Sequence, residues 1–125
     1  MFRQWITAAL AIAGAFFLAG IGGSVATDML GYWHLPGAGF CAGIAVVLTT
    51  YFAAPSHKLA LAGCAFLAGA LVAWRFLEPS SYPESYAKLA YKDTHLPLIA
   101  TCAGGVIGLV VVGIISFSKR LSAKP

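Results

Sequence analysis

Apolar positions along the chain gather into four long runs instead of recurring as stripes. The runs cover about residues 5–26, 35–54, 59–77 and 96–117, with polar breaks between them. A helix needs roughly 20 mainly apolar residues, rising about 1.5 Å each, to cross about 30 Å of hydrocarbon. Each run is long enough. In lipid every backbone polar group must find its partner inside its own segment, so the runs are expected to be helices and not open strands. The polar/apolar alternation of barrel strands is absent. The expected fold is therefore an all-α membrane protein, with residues 1–125 forming a single domain of four transmembrane helices.

The breaks set the connections. Asp28, Gly31 and the Tyr32-Trp33-His34 cluster divide the first two runs, and Pro55-Ser56-His57-Lys58 divides the second and third. A gap that short forces an antiparallel hairpin. The longest polar stretch, Glu78 to Asp93, lies before the fourth run. Within it Pro83 can open a helix, Glu84 and Lys88 are spaced i,i+4, and Tyr82, Tyr86 and Leu89 fall near one face. This predicts a short helix over about 82–92, lying on the outer membrane surface.

Composition sharpens the class. Of 125 residues, 60% are hydrophobic, before counting 14 glycines, and 10% are charged. A soluble domain carries about 25% charged residues, so neither a free soluble protein nor a disordered tail fits. The net charge of +4 comes without any cluster of Lys and Arg interleaved with aromatics, and nucleic acid is not an expected partner. The first run is longer than the roughly 7–15 apolar residues of a secretory leader. It is expected to stay as a span, although Ser24-Val25-Ala26 has the small residues of a cleavage site.

Charge position predicts orientation. One side of the four runs holds Arg3, Lys58, Lys119, Arg120 and Lys124; the other holds Arg75, Lys88 and Lys92 together with Asp28, Glu78, Glu84 and Asp93. The excess of Lys and Arg marks the cytoplasmic side. Both termini are expected in the cytoplasm, with the protein multi-pass in a cell inner membrane. Trp5 on the inner side, and Trp33 and Trp74 on the outer, stand where interfacial anchors belong.

A repeat runs through the chain. His34-Leu35-Pro36 is followed by Cys41-Ala42-Gly43, and His95-Leu96-Pro97 by Cys102-Ala103-Gly104, at identical spacing. The odd-numbered runs align as well, Ala11–Gly20 with Ala60–Gly69. The offset grows from 49 to 61 between the two alignments, which places the extra residues in the 78–93 loop. The expected architecture is two duplicated helical hairpins related by a pseudo-two-fold axis along the membrane normal. Pro36 and Pro97 fit the first helical turn, where a missing N–H costs nothing.

Helices in lipid associate through small residues. Candidate packing stripes are Ala11, Ala15, Ala19 and Gly23; Gly39 and Gly43; Ala65, Gly69 and Ala73; and Gly104 and Gly108. Cys41, Cys64 and Cys102 all sit in apolar runs with no CxxC neighbour and are expected to be small buried residues. No Asp, Glu, Lys or His falls near the middle of a span, whereas ion-coupled transporters need such a group.

Candidate chemistry is sparse. There is no HExxH, no GxSxG and no carboxylate pair in a span, so no catalytic residue and no enzymatic activity are expected. The one candidate metal or haem site pairs His34 with His95 across the repeat axis, helped by Asp28 or Asp93. Otherwise no cofactor is expected. The leading function is association: an accessory or assembly subunit of a larger membrane complex, respiratory or photosynthetic complexes being plausible hosts. Its partners are the lipid bilayer and other membrane subunits or a second copy. The alternatives are a channel or carrier for a small neutral solute, and a His-ligated metal or haem protein.

Overall fold

A computed structural model describes residues 2–78 and 80–123. Four helices dominate it: α1 (Phe2–Met29), α2 (His34–Ala53), α3 (Lys58–Leu77) and α4 (Leu96–Ser122). All four are long and apolar enough to cross a membrane. Lys124, counted above among the basic residues, lies outside the described residues.

The helix ends follow local chemistry. α1 runs three residues past its apolar stretch, through Asp28, because nothing before Gly31 stops it. Gly31 takes φ +80°, and two bonds close the end: Tyr32 N–H to the Thr27 carbonyl and Gly31 N–H to the Asp28 carbonyl, each 3.0 Å. This is a Schellman motif with glycine at its left-handed position. α2 stops where Ala54 turns extended ahead of Pro55. Pro97 sits in the first turn of α4, as expected of a residue without an N–H. At about 1.5 Å per residue α1 is some 40 Å long, more than the thickness of a hydrocarbon layer of about 30 Å.

α2 is the hub. α1 lies antiparallel along one face of α2, and α4 runs parallel to α2 along the opposite face; α3 rests against both α2 and α4. The buried cluster is Val47, Tyr51, Ala62 and Val112, with Leu48, Phe66, Leu109 and Ile115 packed around it. It lies toward the end where α1 begins and α4 finishes, here the terminal end. There Lys58 Nζ donates to the Phe52 carbonyl at 3.2 Å. Lys119 Nζ sits 5.8 Å from the Tyr51 ring centre and 6.0 Å from that of Phe52, which is cation–π range.

At the opposite end, the cap end, the 78–95 segment departs from expectation. It holds a two-residue antiparallel ribbon, β1 (Ser80–Ser81) with β2 (Asp93–Thr94), and a 3₁₀ turn over Glu84–Leu89. Bonds from Tyr82 N–H to the Lys92 carbonyl and from Tyr91 N–H to the Tyr82 carbonyl draw the loop's ends together. The short helix expected over about 82–92 is present as a 3₁₀ helix confined to Glu84–Leu89. Tyr82 and Tyr86 turn inward onto Trp33, at ring separations of 5.9 and 6.4 Å, and the Tyr86 hydroxyl accepts from the Trp33 N–H at 3.1 Å. In 3₁₀ geometry residues at i and i+3 eclipse, so the i,i+4 spacing of Glu84 and Lys88 no longer brings them together. Trp33 is half-buried under this loop, while Trp5 and Trp74 are exposed at 40% and 62%.

Candidate functional site

Two features are built by small residues: a tight seam between α2 and α4, and a groove beside it. The seam comes from a four-residue glycine spacing on each helix, Gly39 with Gly43 and Gly104 with Gly108. A Cβ placed on Gly43 would stand 2.6 Å from the Thr101 carbonyl oxygen, and one on Gly104 would strike the Phe40 carbonyl. Backbone therefore touches backbone at both points. The two contacts exchange under a sequence offset of 61, which takes Gly43 to Gly104 and Phe40 to Thr101. Val47, whose counterpart is Gly108, lies 3.0 Å from where that glycine's Cβ would be. On the other side of α2, Gly23 of α1 meets the Gly37 carbonyl and Cys41, and Gly37 meets Thr27.

The groove opens on the face of α2 between α1 and α3, toward the cap end. It encloses about 430 Å³. Its floor is the small side of α2 (Ala38, Gly39, Ala42, Gly43) with Thr101, Cys102 and Gly105 of α4. Phe16, Phe17 and Gly20 of α1 form one wall; Phe66, Gly69, Val72 and Phe76 of α3 form the other. Thr101 and Cys102 bring the lining's polar side-chain atoms, and the Thr101 hydroxyl is already used, donating to the Pro97 carbonyl at 2.7 Å.

The groove has a cause in the sequence. α1 reaches α2 because Gly23 and Gly37 let the backbones approach. The aligned positions of the second hairpin carry Val72 and Leu98, and Thr27 is matched by Phe76. Without glycine at these positions α3 and α4 have no matching place for close backbone approach, and Val72 and Phe76 stay exposed on the groove wall. α3 instead leans on the α2–α4 seam, where the Phe66 ring lies over Gly105.

The expected packing stripes divide accordingly. Gly23, Gly39, Gly43, Gly104 and Gly108 make helix contacts, whereas Ala65, Gly69 and Ala73 border the groove, and a Cβ on Gly69 would meet nothing within 4 Å. Ala15 and Ala19 are half-buried. Of the repeat motif, Pro97 and Gly104 are buried, Pro36, Cys41, Gly43 and Cys102 are half-buried, and His34 is exposed. Cys64 is exposed and not buried: α3 turns the face of Ala62 and Phe66 inward, and Cys64 points away. Gly37, Phe40, Phe66 and Gly105 were not among the expected packing residues. The adjacent pair Gly104-Gly105 was the available signal, since two contacts at consecutive residues require two different neighbours.

His95 is 73% exposed, and its Nδ1 stands 2.5 Å from Glu78 Oε1, joining the end of α3 to the start of α4. Its partner is thus Glu78. Among the described residues no group of three His, Cys, Asp or Glu side chains is placed to hold a metal ion. Exposed ion pairs contribute about 0–1 kcal/mol, so Glu78→Gln is expected to lower stability by less than about 1 kcal/mol, read as a thermal melt in mild detergent.

Comparison with protein-family models, with characterised proteins and with solved structures finds no match.

Proposed function

We propose that this is a small polytopic membrane protein that works by helix–helix association, as an accessory or assembly subunit of a larger membrane complex. One observation carries the reading. Gly14, Gly22, Gly63 and Gly113 have nothing within 4 Å of an added Cβ, while Gly23, Gly37, Gly39, Gly43 and Gly104 are all spent on contacts inside the chain. A glycine inside a helix costs about 0.5–1 kcal/mol relative to alanine, and in lipid its use is to let a second helix come close. Gly14 and Gly63 also occupy equivalent positions of the repeat. α1 is engaged by α2 along one face, and Leu10, Leu18 and Val25 elsewhere on it are exposed. The reciprocal α2–α4 contacts support duplication of a hairpin, and the excess of Lys and Arg at the terminal end supports a cytoplasmic placement of that end in an inner membrane.

A channel or carrier for a small neutral solute has less to rest on, because such a path needs a polar lining and the groove offers Thr101 and Cys102 alone among its described residues. The test is purification from native membranes in mild detergent, read by native gel and mass spectrometry. A stoichiometric partner is expected, lost in Gly14→Leu and Gly63→Leu variants that still melt like the parent. A lone 13 kDa species would overturn the reading.

A further inference from the structure

We infer that the groove between α1 and α3 is a seat for one acyl chain of a membrane lipid, entered sideways from the leaflet at the cap end. The inference rests on the membrane reading above, but not on association with another protein.

Size selects the occupant. The α3 wall runs from Ala65 to Leu77, about 18 Å at the rise of a helix. The groove is thus a long trough of about 430 Å³, open along one side. Its length is about that of one leaflet's half of a 30 Å hydrocarbon layer, which is the reach of one extended hydrocarbon chain.

Chemistry agrees. The lining is hydrocarbon apart from Thr101, whose hydroxyl is satisfied, and Cys102. Gly20 and Gly69 face into it from opposite walls and are equivalents in the repeat. A Cβ on Gly69 would touch nothing, and one on Gly20 would reach Ala42 Cβ at 4.0 Å. Neither glycine is required by packing inside the chain; both leave space that a larger residue would fill. Lipid tails are as apolar as the groove, so moving a chain into it gains no hydrophobic free energy. Retention comes from close contact with the Phe16, Phe66 and Phe76 rings, by many small dispersion terms.

The test fills the groove from its own wall. The full chain is reconstituted in vesicles of palmitoyl-oleoyl phosphatidylcholine, taken into mild detergent and weighed by native mass spectrometry. One phospholipid per chain is expected to persist. Gly69→Phe, and independently Gly20→Phe from the facing wall, should abolish that adduct while the melting temperature stays within a few degrees of the parent. Leu71→Phe, on a lipid-facing position of α3 that is 64% exposed, should keep it. An adduct that survives both filling variants, or a parent with no adduct, overturns the proposal. Carbonate extraction of the same membranes tests the spans separately: retention of the chain without an adduct sinks the lipid seat alone, and release of the chain sinks both.

Discussion

Gly104→Ala is expected to destabilise the fold by about 3 kcal/mol, the upper end of what overpacking costs, although it adds one methyl group. The Cβ of that alanine would strike the carbonyl of Phe40. The obstacle is backbone inside a helix, which has no rotamer to change. α2 and α4 must part along the seam, and the neighbouring contact of Gly43 on the Thr101 carbonyl is lost with it. Gly43→Ala is the reciprocal change and should cost a similar amount. Gly113→Ala supplies the comparison on the same helix. Nothing lies within 4 Å of its added Cβ, so it should be neutral or gain about 0.5–1 kcal/mol from helix propensity. Unfolding in mild detergent followed by tryptophan fluorescence reads all three. Equal stability of the Gly104 and Gly113 variants would show that α2 and α4 do not meet backbone to backbone.

Four apolar helices were legible because the signal is a sum over about 20 residues, which single substitutions barely disturb. Both ends of α2 and the start of α4 were legible for a local reason, since proline and the residue before it have few conformations, whereas α4 runs on to Ser122, five residues past its expected end. The 82–92 segment offers no such sum, and its helix is shorter than the spacing predicts and of 3₁₀ type, over Glu84–Leu89. Its Tyr82, Tyr86 and Leu89 fit one helical face, but two tyrosines spaced i,i+4 serve equally well to cover Trp33 from a closed loop, and that contact spans 53 residues of sequence. Local spacing cannot register a partner so distant. The glycines show the same limit more finely. Gly39, Gly43, Gly69 and Gly104 read alike as small residues at four-residue spacing. In the structure three of them press on a neighbouring helix, and Gly69 meets nothing within 4 Å. What separates them is whether a neighbouring helix comes within reach, which depends on the facing elements and not on the stripe itself.

Phe66 is the piece that fastens α3 to the seam. Its ring covers Gly105, with Cε2 standing 2.7 Å from where that glycine's Cβ would be. Phe66→Ala is expected to cost about 2 kcal/mol, below the 3–5 kcal/mol of a fully buried phenylalanine because the ring is half-buried. Gly105→Leu alone should cost about as much by driving the ring from its place. Combined, the two changes exchange bulk across one contact: the new leucine occupies the volume that the ring vacates. The double variant should therefore sit at least about 1 kcal/mol above the sum of the single losses, the sign of coupling expected for side chains that share a space. Strict additivity in the same detergent melts would mean that α3 is held elsewhere. Gly105→Ala is the graded case between these and the Gly104 change. Its methyl group meets a ring that can swing, where the neighbouring glycine's would meet a carbonyl that cannot, and so it should cost less than Gly104→Ala although the two positions are adjacent.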